Sequence, residues 1–219
     1  MSKDAEALQS VSKYFTEDSL RKIVAKVEKK GEQEVEILSW SFGEASEKGD
    51  GYLSTIDRVA IQGKVDGKVV ETRIVVKSLP NNIGRRKTYR NAEFFKNEIN
   101  FYVEIVPAFE KFLKSKNQSS FLVLPDFLDY HLDGEEDFIA LKDASPLGFG
   151  PSSRQNCPSY DEFVNILLVM ARFHAVSFAY KDQNREHFKT LASSLSETYF
   201  REDLYESYYK RFQDVVIFF

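Results

Sequence analysis

Two residues in this chain could grip a phosphate. Lys77 closes the apolar, alternating run Val69-Val70-Glu71-Thr72-Arg73-Ile74-Val75-Val76-Lys77. Glu98 lies in Phe94-Phe95-Lys96-Asn97-Glu98-Ile99-Asn100-Phe101-Tyr102, whose spacing predicts a helix. Positions three and four apart share a helix face, so Glu98 falls among Phe94, Phe95, Phe101 and Tyr102. A carboxylate in an aromatic stripe must reach water or meet a cation, because an unpaired buried charge is costly. Lys77 is the cation at hand. A strand-end lysine oriented by an inward glutamate on the following helix is an arrangement that holds nucleotide phosphates. The plainer alternative is that Glu98 snorkels at the stripe's edge and Lys77 is a solvated strand end.

Other residues fit the same chemistry. Lys48-Gly49-Asp50-Gly51-Tyr52-Leu53-Ser54 precedes a predicted strand. Gly49 and Gly51 would let backbone N–H groups approach phosphate oxygens, and Ser54 could add a hydroxyl. Gly-Asp-Gly is also a common plain turn. Side chains alternate along a strand, so Val75 shares the face of Lys77 and could touch an adenine ring. Leu141-Lys142-Asp143 ends another predicted strand, where hinge backbone groups could meet the adenine edge. His174, in the apolar run Ala171-Arg172-Phe173-His174-Ala175, is expected to be a hydrogen-bonded core residue. With His131 and His187 it shows no metal-ligand spacing.

The elements that must position these groups can be read coarsely. Residues 4–14 have weak helical periodicity. Thr16 is placed to N-cap a helix over 17–30, with Gly31 as its stop. Strands are expected at 35–40, 52–61 and 68–77, with a hairpin turn at 63–67 and a polar loop over 43–51. A basic, flexible connection over 80–86 leads to a long helix over 89–106, ending before Pro107, and a further helical stretch near 109–114. Two more strands are expected at 121–124 and 137–141. Pro146, Gly148, Gly150, Pro151 and Pro158 mark a linker. Ser159 and Glu162 form a capping box before the most apolar helix, 163–180, and an aromatic-rich helix is expected from 197. This order, with a five-stranded antiparallel sheet and one long helix after the third strand, is that of the small lobe of a kinase-like α+β fold. The expected division is 1–42 for the N-terminal helices and first strand, 43–143 for the lobe core, 144–158 for the hinge and linker, and 159–219 for a partial helical second lobe.

At 219 residues, 42% hydrophobic and 29% charged, the chain can bury a sizeable core. A net charge of −4 with interspersed signs argues against nucleic acid as the main partner. Cys157 is the single cysteine, which rules out an intrachain disulfide and a cysteine-based zinc site and suits a reducing compartment. No signal peptide is visible and no apolar run is expected to reach membrane-spanning length, so a cytoplasmic protein without a membrane partner is expected.

Several of these strings resemble the ecdysteroid kinase-like family, relatives of choline and aminoglycoside kinases. They are Gly51-Tyr52-Leu53-Ser54, Arg58-Val59, Ile74-Val75-Val76-Lys77, 95–102, Leu141-Lys142-Asp143 with Gly148-Phe149, and Ala171-Arg172-Phe173-His174-Ala175. The resemblance spans about 43–219. It implies ATP and Mg2+ as cofactors and a small-molecule hydroxyl, in ecdysteroid kinases a steroid alcohol, as acceptor. It also implies Lys77 on the α/β-phosphates, Glu98 as its partner and Gly51 to Ser54 as the covering loop. The sequence departs from the family at Gly51, where asparagine is usual, and at Lys142, where an acid is usual. The family's catalytic His-Gly-Asp and metal-binding Asp-Phe-Gln strings do not occur. The expectation is therefore a truncated, nucleotide-gripping half, inactive alone, or a non-catalytic remnant that binds a nucleotide or a partner. The apolar ending Val215-Val216-Ile217-Phe218-Phe219 would favour self-association.

Overall fold

The computed structural model describes residues 3–44, 54–150, 157–206 and 210. The described chain is α+β. Two N-terminal helices, α1 (Ala5–Val11) and α2 (Glu17–Glu28), precede strands β1 (Val35–Glu44), β2 (Thr55–Val65) and β3 (Lys68–Ser78). Next come α3 (Ile83–Tyr89), α4 (Asn91–Asn100), a π-helical turn (Phe101–Ile105) and α5 (Val106–Ser115). Strands β4 (Phe127–His131) and β5 (Phe138–Lys142) are followed by α6 (Tyr160–Gln183), α7 (Arg185–Ser193) and the short α8 (Glu202–Leu204). All strand pairs are antiparallel, in the order β1-β2-β3-β5-β4.

The β2–β3 hairpin turns at Asp66-Gly67, both at positive φ (50° and 77°). This is the backbone a two-residue hairpin needs, and only the glycine adopts it without strain. Gly63 has a different reason. A Cβ there would come within 3.3 Å of Val24 Cγ1, because α2 lies close on β2.

Alternation divides the sheet into two faces. Val59, Ile61, Ile74, Val76, Phe138 and Ala140 pack against Leu8 and Val11 of α1 and Leu20, Ile23 and Val24 of α2. Each fully buried side chain of this kind is worth roughly 1.5–3 kcal/mol. On the other face Ile139 and Leu141 meet Phe95 and Ile99 of α4. A third cluster joins Ile105, Phe109 and Leu113 to Val176 and Tyr180 of α6 and Leu191 of α7.

Several sequence expectations are corrected. Helix α2 ends on Lys29, in the left-handed region at φ 56°, with Lys30 N–H bonded to the Ala25 carbonyl; Gly31 is not the stop. The 80–86 connection is partly helical, since α3 begins at Ile83. Pro107 does not end the helix. It sits in the first turn of α5, where no amide donor is needed, and Val106 N–H reaches back to the Phe101 carbonyl through the wider π turn. Residues 121–124 form no strand. Phe121 and Leu122 pack on the third cluster, and β4 begins at Phe127. His174 is exposed rather than a core residue. Helix α6 is long and apolar enough to cross a membrane by length and composition, which corrects the expectation of no such run. Asn165, Arg172 and His174 interrupt it and hide it from a count of consecutive apolar residues. The 43–51 loop lies largely outside the described residues, as does most of the helix expected from 197, of which α8 is described.

Candidate functional site

Strand register decides which side chains gather beside Lys77. In β2–β3–β5 the cross-strand partners are Ile56–Lys77–Ile139 and Arg58–Val75–Leu141, two adjacent rows on the face that carries α4. Val75 is half-buried, so an apolar floor lies two residues from the lysine. Helix α4 lays Phe95 and Ile99 on this face and brings Glu98 to its flank.

Lys77 Nζ donates to Glu98 Oε1 at 2.5 Å, joining β3 to α4. The two side chains are 30% and 31% exposed, so the pair sits at a solvent-reachable edge and not in the core. Burial, followed by the negative charge of Glu98, pushes the Tyr102 phenol above its ordinary range. Of the two readings open for Glu98, the structure has the paired one.

The end of β5 is more committed than the sequence suggests. Asp143 is 8% exposed. Its carboxylate accepts from Ser145 N–H and Ser145 Oγ, both at 2.8 Å, and pairs with Arg58 Nε at 3.5 Å. The Lys142 and Asp143 amides are bonded to the carbonyl oxygens of Asp126 and Arg73. Leu141 is buried among Phe95, Ile99 and Ile139. Asp143 is therefore a turn-forming and ion-pairing residue here.

Of the predicted site residues, the structure brings together Val75, Lys77 and Glu98, with Leu141 and Asp143 at the next strand's end. Ser54 is half-buried just before β2. Gly49, Gly51, Tyr52 and Leu53 lie outside the described residues. Arg58 was missed as a site residue. Its string carried the family resemblance, but its place over β3 follows from the β2–β3 register, which no local signal reveals. A cavity of about 760 Å³ opens elsewhere, at the N-terminal end of α4, lined by Asn81, Arg86, Lys87, Arg90 and Glu135 among others. It contains none of the predicted residues.

Chemically, one ammonium held by one carboxylate beside an apolar strand face suits a phosphorylated, flat ligand. Among the described residues no group of three or more histidine, cysteine or acidic side chains converges.

Residues 48–217 match the sequence model of the ecdysteroid kinase-like family, and the chain belongs to that family. Neither a curated protein nor a solved structure matches the chain significantly.

Proposed function

We propose that this ecdysteroid kinase-like chain holds ATP at the Lys77–Glu98 end of its sheet. It would be the nucleotide-gripping half of a kinase-like fold whose family chemistry is phosphorylation of a hydroxyl on a small molecule, an ecdysteroid or another alcohol. The observation that carries this reading is the 2.5 Å Lys77–Glu98 pair joining β3 to α4. The half-buried Val75 beside it supplies an apolar seat for the base.

Each residue then has a distinct task. The Lys77 ammonium neutralises charge on the α/β-phosphates, and Glu98 fixes the direction in which it points. Arg58 and Asp143 close the hinge end of the same face. When bound, Mg2+ would neutralise further phosphate charge. The 219 residues hold no His-Gly-Asp string to accept the acceptor's hydroxyl proton, so the reading is binding without transfer by these residues alone. The Asp143 oxygens are already engaged by Ser145 and Arg58, which argues against an acid–base role for it.

Calorimetry with Mg·ATP tests the reading. The expected result is binding no tighter than about micromolar that disappears in Lys77→Ala. Binding of equal strength in Lys77→Ala would overturn it.

A further inference from the structure

Helix α4 is held on two opposite sides. Its inner side packs on the sheet through Phe95 and Ile99. Its outer side meets the segment that follows α7. Asn97 and Ser196 bond reciprocally, Asn97 Nδ2 donating to the Ser196 carbonyl at 2.7 Å and Ser196 N–H to Asn97 Oδ1 at 2.9 Å. Asn100 Nδ2 donates to the Ser194 carbonyl at 2.6 Å, and Arg90, which N-caps α4, to the Thr198 carbonyl at 2.7 Å. Glu93 accepts from both Arg90 and Arg201, the latter at 2.7 Å, and the Phe94 ring meets Tyr199 edge-on at 5.2 Å.

Residues 90, 93, 94, 97 and 100 form one stripe at helical spacing, and about half a turn separates them from Phe95 and Ile99. Glu98 lies on the flank between the stripe and the sheet. A helix gripped only by the sheet could roll or swing about that contact. One gripped on both sides cannot move without breaking the outer bonds.

We propose that residues 194–201 form a strap that fixes α4 in the position where Glu98 meets Lys77, with Asn97 as a positioning residue that acts through Glu98. The strap's effect on nucleotide binding rests on the reading above. Its effect on the ion pair does not. Asn97 suits the role because its amide satisfies a donor and an acceptor of the strap backbone at once, which a backbone-like amide does and a carboxylate or an amine does not. The strap segment follows α7 directly, so it also ties α4 to the helices packed on α5.

Asn97→Ala, with the neighbouring Lys96→Ala as control, separates this from a merely structural role. The first readout needs no nucleotide: the rate at which an amine-reactive ester labels Lys77, followed by mass spectrometry. An ammonium engaged by a carboxylate at 2.5 Å is less accessible to the ester and labels slowly. Asn97→Ala is expected to raise labelling toward the level of Glu98→Ala, by about fivefold, with Lys96→Ala unchanged. The second readout is the Kd of a fluorescent ATP analogue in a cycle of Asn97→Ala and Glu98→Ala. If Asn97 acts through Glu98, the double variant binds no more weakly than Glu98→Ala alone. Additive losses, or Lys77 labelling that does not respond to Asn97→Ala, would overturn the strap. Failure of the nucleotide site itself looks different: Lys77→Ala would leave the analogue's Kd unchanged while Asn97→Ala still exposed Lys77 to the ester. Should Asn97→Ala fold poorly, Glu93→Gln, which weakens the Arg201 contact and leaves a neutral amide in place, is expected to raise labelling in the same direction. No rise in that variant counts against the strap.

Discussion

At the scale of single residues, what was legible was the pair whose two members each sit at an identifiable place in their own element. Lys77 ends a run that alternates, and Glu98 interrupts an aromatic stripe; each fact is local, and the need for a counter-charge links them. What was not legible depends on register. The Arg58–Asp143 contact and the use of the Lys142 and Asp143 amides follow from which strands pair and how. The sequence predicts a linker after Asp143, but not that Asp143 is engaged by Ser145 and Arg58. The Lys77–Glu98 pair also carries a prediction about stability. Both side chains are about one-third exposed, so solvent screens the pair and its net worth to folding is small, at most about 1 kcal/mol. Glu98→Ala should therefore shift the thermal midpoint by only a few degrees while weakening Mg·ATP binding by about tenfold or more. Paired melting and calorimetry on the variant check this. A large loss of stability with unchanged nucleotide affinity would mean that the pair serves the fold and not a ligand.

At the scale of elements, alternation and turn chemistry located β1, β2, β3 and β5, and the capping box located the start of α6. The misses share a cause. A short apolar run such as 121–124 has no period long enough to tell a strand from a helix-packing loop, and its burial against α5 and α6 decided the outcome. The basic composition of 80–86 concealed α3 in the same way. The β4–β5 turn holds a group whose behaviour only the fold reveals. Asp137 is fully buried, and its Oδ1 accepts the amides of Asp133 and Gly134, both at 2.7 Å, while its Oδ2 has no hydrogen-bond partner. Burial pushes its carboxyl above the ordinary carboxylate range against those amides. The folded state thus keeps this proton to higher pH than the unfolded chain does. Asp137 therefore makes stability fall as pH rises from the ordinary value near 3.8 through the raised one. Asp133 acts in the opposite sense. Burial would raise it, but the amides of Glu136 and Glu135 and the adjacent His131 hold it well below its usual value. Its contribution is present above the ordinary carboxylate range and is lost only as the pH falls through its depressed value. Asp137→Asn keeps an oxygen for both amides and removes the penalised charge, so the fall in stability with rising pH should become shallower, the remainder coming from Asp57 and Asp129, which burial also raises. Asp137→Ala takes the acceptor from two part-buried amide bonds and should cost about 1 kcal/mol at pH 7. Urea melts of the three proteins between pH 4 and 7 measure both effects. An Asp137→Asn curve parallel to the wild type would show that the carboxyl is not the source of the slope.

At the scale of the whole molecule, the described residues comprise a well-filled sheet-and-helix half and a helical portion in which α6 leaves one run of apolar side chains exposed. Phe163, Leu167, Leu168 and Met170 of α6 are each about half exposed, whereas the side chains on the α1–α2 face of the sheet are nearly all buried. The imbalance matches the distribution of chemistry. The groups that would orient a nucleotide lie on the filled half, and the 219 residues contain no His-Gly-Asp or Asp-Phe-Gln string to supply a proton acceptor and metal ligands. Phosphoryl transfer depends almost wholly on positioning and on charge placed against the moving phosphoryl group, and an arginine finger alone accounts for about 10³–10⁵ in rate in the enzymes that use one. On the proposed reading Lys77 addresses the phosphates, and among the described residues no carboxylate beside the Lys77–Glu98 pair is assigned to an acceptor hydroxyl. These 219 residues, incubated with γ-labelled ATP and steroid, choline-like and sugar alcohols, should yield no labelled product above the no-protein control. The assay has a built-in check, because nucleotide binding by the same preparation shows that the site is folded. Product that vanishes in both Lys77→Ala and Asp143→Ala would refute the prediction. It would place the missing base on Asp143, which would then have to leave Ser145 and Arg58 and turn toward the acceptor during the reaction.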